Sequence, residues 1–192
     1  MILASKLLNL AQKKLIKYNS VSPNLDARIL LAYSLGLKDN YFKFDKKVSN
    51  DKQILFEKLI QNRIDGKPVS RIICKRSFWK DEFYINSYSL DPRPDSEIII
   101  ESVINFLNKK KLEKFNILDL GTGSGCLILS ILREFSKAKG IATDLSKEAI
   151  EVAKLNSKKL KLFNNINFVV SDWCQSLNGL FDVIVINPPY IK

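Results

Sequence analysis

The sequence predicts an α/β fold of the doubly wound, parallel-sheet type, preceded by a small helical bundle and a β-hairpin. Three observations predict it. From residue 92 onward short apolar runs alternate with helical patterns, which is the arrangement that buries a parallel sheet under helices. The run Ile117–Leu120 passes straight into a glycine-rich turn, Gly121-Thr122-Gly123-Ser124-Gly125. The first 70 residues carry helical periodicity and legible stop signals but no strand alternation. The expected organisation is therefore 1–70 helical, 71–91 a β-hairpin linker, and 92–192 the α/β domain.

Composition bounds the rest. With 192 residues, 46% of them hydrophobic, the chain has material for a genuine core. Its 31 basic and 20 acidic residues give a formal charge of +11, a balance that suits an anionic partner such as a ribonucleoprotein. The charge is scattered, so direct nucleic-acid binding is not favoured. Cys74, Cys126 and Cys174 are far apart with no CxxC pair, which points away from a disulfide framework or thiolate zinc and toward a reducing compartment. No apolar run approaches the roughly 18 residues of a membrane span, so no membrane association is expected and the cytoplasm is the default location. Histidine is absent, which excludes His-activated nucleophiles and His metal ligands, and no metal is expected.

In chain order, Leu3, Leu7, Leu10 and Ala11 form a stripe for a first helix. Ser22 and Pro23 supply an N-cap and first turn, with Gly36 as the stop. A further helix fits between Ser49 and Gly66. From Val69 to Leu90 the residues turn β-prone and aromatic, with Phe78 and Trp79 read as packing between the two domains rather than as a recognition surface. Asp95 caps the next helix, whose apolar stripe is Ile99, Val103, Phe106 and Leu107. Strands are then expected at 116–120, near 141–143, at 166–170 and at 181–186, with helices over about 124–135 and 146–157.

The glycine turn allows a ligand to approach backbone, because no Cβ stands in the way. It is GxGxG and lacks the third glycine of the dinucleotide fingerprint, with Cys126 at that spacing and Asp119 ahead of the turn. Asp144 ends the second strand, where a carboxylate accepts ribose hydroxyls. Asp172 and Trp173 end the third and offer an acceptor and a flat ring for an adenine.

The strand Val183–Ile186 leads to Asn187-Pro188-Pro189-Tyr190 at the same edge. Two prolines make this turn stiff and poor in donors. The Asn187 side-chain oxygen and the Pro188 carbonyl can each accept a hydrogen of a substrate NH2 group, and Tyr190 can stack on its plane. Such a grip orients a weakly nucleophilic nitrogen, aiming its lone pair at an electrophilic methyl.

At these motifs the sequence resembles the HemK/PrmC family, the peptide chain release factor glutamine methyltransferases. The resemblance spans Asp26–Leu31, Gly66-Lys67-Pro68, Phe78-Trp79, Pro92–Glu97, the glycine turn, Ser171–Trp173 and Asn187–Ile191. It implies a Rossmann-like class I methyltransferase sheet that takes S-adenosyl-L-methionine at Gly121 to Gly125, Asp144 and Trp173. It also implies that Asn187 to Tyr190 grip the glutamine of the release factor's GGQ loop and that the helical domain helps dock that factor. The cofactor-binding set expected is Asp119, Gly121, Thr122, Gly123, Ser124, Gly125, Asp144, Asp172, Trp173 and Asn187; the catalytic set is Asn187, Pro188, Pro189 and Tyr190. Asp91 and Ser96 depart from the family, which has an apolar residue and Thr there. The proline turn alone is shared with enzymes methylating amino groups of DNA bases, so a DNA base or a ribosomal-protein glutamine is the rival substrate.

Family members continue past residue 192, so the sheet is expected to be incomplete, with Val183–Ile186 apolar on both faces at an unpaired edge. A monomer when complete, a chain marginal or inactive alone, or a non-catalytic remnant are the corresponding expectations.

Overall fold

The computed structural model describes residues 2–37, 46–111 and 114–188, and the chain divides between Ile73 and Cys74 into two compact units.

In the first unit, β1 (Ile2–Leu3) pairs antiparallel with β2 (Lys47–Val48), and α1 (Ala4–Lys17), α2 (Pro23–Leu35), α3 (Asn50–Ile64) and α4 (Val69–Ile73) form a bundle. The start of α2 has Pro23 in its first turn, and Gly36 ends it with φ +72, the left-handed conformation that glycine adopts at least cost. The Ser22 hydroxyl makes no cap. The core-facing stripe of α1 is Ala4, Leu7, Leu8, Ala11 and Leu15, whereas Leu3 and Leu10 are exposed. At about 100° per residue those two lie roughly a third of a turn from the stripe's centre, so the expected stripe was rotated. Arg63 on α3 donates from Nε to the buried Asp26 carboxylate on α2 at 2.7 Å, and the Ser20 hydroxyl donates to the same oxygen at 2.8 Å. The β-prone stretch expected from Val69 opens instead as α4, which packs on α2 and α3.

The second unit begins with an antiparallel hairpin, β3 (Lys75–Phe78) and β4 (Asp81–Tyr84). Phe78 and Phe83 meet edge to face at 6.3 Å and are buried in the core of this unit. Trp79, at the tip, donates its indole N–H to Glu134 at 2.8 Å. Phe78 and Trp79 thus pack within this unit, where packing between the two domains was expected. A 3-10 turn, Pro94–Ser96, leads into α5 (Glu97–Lys110). Asp95 does not cap α5: it and Ser96 both lie in the 3-10 turn that runs on into the helix, Ser96 with helical backbone angles, and the extended residue before the turn is Arg93. The buried face of α5 is Ile100, Val103 and Leu107, while Phe106 points outward.

There follow β5 (Asn116–Leu120), α6 (Cys126–Glu134), β6 (Lys139–Asp144), α7 (Lys147–Lys159), β7 (Ile166–Val170) and β8 (Val183–Ile186). The four strands form one parallel sheet in the order β7-β6-β5-β8. The central strand β5 buries Ile117, Leu118, Asp119 and Leu120, as a parallel strand covered on both faces must. In β8 only Val185 is buried, and Ile184 and Ile186 are exposed. Ile184 and Ile186 lie on one face of β8, and it is that face that is open; among the described residues β8 pairs with β5 alone, the apolar edge that the sequence led us to expect. Among the described residues no helix is long and apolar enough to cross a membrane.

From β5 the chain winds outward through β6 to β7, then returns to lay β8 on the opposite side of β5. The winding reverses at β5, and the crevice beyond the carboxyl ends of strands at such a reversal is where doubly wound sheets take ligands.

Candidate active site

At that reversal, β5 delivers Asp119 and the glycine turn, and β8 delivers Asn187. The register sets Leu120 beside Ile186, so the two loops leave the sheet side by side. They line one cleft with Leu90, Pro92, Arg93 and Ser96 from the segment before α5, and Cys126 and Leu127 from α6.

The glycine turn owes its shape to backbone freedom. Gly121, Gly123 and Gly125 all have positive φ, at +71, +56 and +78. Their surroundings differ. A Cβ on Gly121 would meet nothing within 4 Å, and one on Gly123 only Leu90 N at 3.8 Å, so the turn leaves open space on the cleft side. A Cβ on Gly125 would press within 3.1 Å of Ala153 and Leu129. Gly125 thus lets α7 approach the start of α6. The side chain of Asn156, fully buried on α7, donates to Ser124 O at 2.8 Å and Tyr84 O at 2.9 Å and accepts from Tyr84 N at 2.8 Å. The turn is therefore braced from below and open above.

Two carboxylates flank it. The Thr122 hydroxyl donates to buried Asp119 at 2.6 Å. Burial raises the Asp119 carboxyl to about 7; the Thr122 hydrogen bond opposes this and the Asp144 charge reinforces it. The Asp144 carboxylate at the end of β6 accepts the Gly123 N–H on Oδ2 at 2.8 Å and the Ser146 N–H on Oδ1 at 2.9 Å. Thr122 N–H donates to Thr143 O at 2.8 Å, closing the link between turn and strand end. Two acceptors beside an open backbone turn fit a ligand with hydroxyls and positive charge, such as S-adenosyl-L-methionine. Burial pushes the Cys126 thiol up to about 12, which keeps it protonated at neutral pH.

On the β8 side, Asn187 donates from Nδ2 to the Ser96 hydroxyl at 2.8 Å. Pro188 follows, half-buried. Pro189 and Tyr190 lie outside the described residues. Asp172 and Trp173 follow β7 and are exposed; Asp172 accepts from Gln175 at 3.3 Å, and Trp173, with φ +50, keeps half of its surface open. Neither lines the cleft, nor does Asp144, although Ser171 N–H bonds to Asp144 O at 3.0 Å and so ties the end of β7 to that of β6.

Ser96 was singled out in the sequence only as a departure from the family's Thr, not as a lining residue of the cleft. Its position in a Pro-Arg-Pro-Asp-Ser segment was the available signal, but nothing local says that a hydroxyl before α5 meets an amide 91 residues later. Asp91, which departs from the family pattern, is ion-paired with Arg76 at 3.4 Å.

Among protein families, residues 97–192 match the methyltransferase small domain and residues 6–73 the PrmC N-terminal domain. A release factor glutamine methyltransferase of Buchnera aphidicola is 39% identical, the match covering 92% of this chain and 64% of that protein. One from Agrobacterium fabrum is 35% identical over 95% of this chain and 64% of its own length. A bifunctional methyltransferase of Rickettsia typhi is 38% identical over 97% of this chain and 40% of its own. The chain thus spans between two fifths and just under two thirds of the length of these relatives.

Proposed function

The chain belongs to the methyltransferase small-domain family, with a PrmC N-terminal domain ahead of it, and from that premise we propose that it methylates the side-chain amide nitrogen of a protein glutamine, using S-adenosyl-L-methionine. The substrate is the glutamine of the GGQ motif in a peptide chain release factor, a reading supported by the release factor glutamine methyltransferases that match over more than nine tenths of the chain. The reaction takes place in the cytoplasm.

The observation that carries the proposal is the meeting of the glycine turn and Asn187 in one cleft. When bound, S-adenosyl-L-methionine supplies an electrophilic methyl group on sulfonium sulfur. Gly121 and Gly123 give its backbone-facing part room, Asp144 and Asp119 supply acceptors, and Trp173 offers a ring face. Asn187 and the Pro188 carbonyl take the two hydrogens of the substrate amide. Accepting hydrogen bonds from both N–H groups fixes the nitrogen's orientation and stabilises the positive charge that develops on it as the new N–C bond forms, after which one of the two hydrogens leaves to solvent as a proton. No general base is required to ionise the nitrogen beforehand, in keeping with a chain that has no histidine.

Incubation with methyl-labelled cofactor and either release factor, ribosomal protein or DNA tests this. Label is expected on the factor's GGQ glutamine and should vanish with Asn187→Ala. Label on DNA or ribosomal protein but absent from the factor would overturn the substrate assignment.

A further inference from the structure

We propose that Arg93 holds the carboxylate at the amino-acid end of S-adenosyl-L-methionine and so makes the cleft select the zwitterionic cofactor. The proposal rests on the cofactor reading above and deepens it.

The cofactor carries a positive sulfonium, a positive ammonium group and a negative carboxylate. Asp119 and Asp144, on either side of the glycine turn, suit the positive groups and the ribose hydroxyls and repel the carboxylate. A carboxylate moved from water into a cleft needs an opposite charge or several donors. The donors of the turn are already committed. Thr122 N–H bonds to Thr143 O and Gly125 N–H to Thr122 O, both at 2.8 Å. The Thr122 hydroxyl is held by Asp119 at 2.6 Å, and Gly123 N–H by Asp144 at 2.8 Å. The turn therefore has little to offer an anion.

Arg93 meets that need. Among the described residues lining the cleft it is the one cation. Its guanidinium has no hydrogen-bond or ion-pair partner among the described residues. Asp91, two places earlier, is ion-paired with Arg76 at 3.4 Å. The backbone beneath the side chain is fixed. Pro94 confines Arg93 to extended angles, φ −93 and ψ 139, and the Arg93 carbonyl accepts the Ser96 N–H at 3.0 Å. A guanidinium presents paired N–H groups at the spacing of the two carboxylate oxygens, so it recognises shape as well as charge.

Decarboxylated S-adenosylmethionine lacks only the group that Arg93 is proposed to hold. Titration calorimetry of both compounds against the full chain, with and without Arg93→Met, isolates that contact. R93M should weaken S-adenosylmethionine by about tenfold or more, the order of one charge-assisted hydrogen bond, and should not weaken the decarboxylated compound. Arg93→Lys, which keeps the charge without the paired geometry, should fall between. Each comparison is a ratio of two ligands on one protein, so a change in stability cancels. Equal weakening of both compounds in R93M, or weakening of neither, would overturn the proposal and leave the cofactor reading standing. So would a raised KM for the protein substrate at unchanged cofactor Kd, which would give Arg93 to the substrate side. If the unsubstituted chain binds neither compound, the cofactor reading itself fails, and the proposal with it.

Discussion

Gly123 donates its backbone N–H to Oδ2 of Asp144 at 2.8 Å, so the middle of the glycine turn is fastened to the end of the neighbouring strand by the carboxylate proposed to meet the cofactor ribose. Ser146 holds the other oxygen at 2.9 Å. Each oxygen keeps a lone pair, and the carboxylate is already aimed before a ligand arrives.

Asp144→Ala removes both the acceptor and the fastening. A charged hydrogen bond contributes about 1.5–3 kcal/mol, so titration calorimetry should show S-adenosylmethionine affinity weakened by roughly 10- to 150-fold. Asp144→Asn, which keeps one acceptor oxygen, should fall between. Unchanged affinity in the alanine variant would remove Asp144 from the cofactor site.

Gly123→Ala and Gly125→Ala should separate two uses of glycine. Both positions have positive φ, which costs an alanine about 1 kcal/mol. Only at Gly125 would the new Cβ also press on Ala153 and Leu129, at 3.1 Å, adding about 1–3 kcal/mol of overpacking. Melting curves should show G125A clearly less stable than G123A, while G123A weakens the cofactor by filling its space. Equal melting temperatures would contradict the packing argument.

Asp119 makes stability depend on pH. Its carboxyl is raised from 3.8 to about 7 by burial. Between those values the unfolded chain has released the proton and the folded chain still holds it, so stability falls as pH climbs from about 4 to about 7. Asp119→Asn should flatten that limb of a denaturation series measured without ligand. A cation bound nearby favours the ionised form, so cofactor affinity should rise through the same window. A slope identical in D119N would assign the pH dependence to another group.

Trp173 is the natural optical reporter. It is half exposed, whereas Trp79 is partly buried and already hydrogen-bonded to Glu134. A fluorescence change on adding S-adenosylmethionine should survive Trp79→Phe and disappear in Trp173→Phe. The reverse would place the adenine elsewhere.

In the helical unit, Arg63→Met leaves the Asp26 carboxylate buried with one of its two side-chain partners gone. Loss of one partner of a buried pair costs about 3–5 kcal/mol, and the figure here should lie at or below that range because Arg63 is partly exposed. The double variant Arg63→Met with Asp26→Asn should recover part of the loss in Tm. No recovery would mean that the pair is not what holds α2 to α3.

Sequence alone determined the elements whose cause is local. Gly36 ends α2 and the glycine turn follows β5 because positive φ excludes most other residues at little distance from the chain itself. The alternation after residue 92 dictated a parallel sheet, and the placement of Asp119, Asp144 and Asn187 at strand ends was legible with it. What tertiary structure decided were the choices between near-equal local options. Periodicity could not tell Ile100 from Phe106 as the buried residue on α5, nor centre the stripe on α1, because several rotations of a helix rich in apolar residues satisfy the pattern equally well. Local signals favoured Asp95 as a cap and were silent on Ser96, whose hydroxyl is claimed by Asn187 from across 91 residues of chain. A hydrogen bond of that kind has no sequence period. It exists only once β8 has been laid beside β5 and the winding of the sheet has brought two distant loops to one edge.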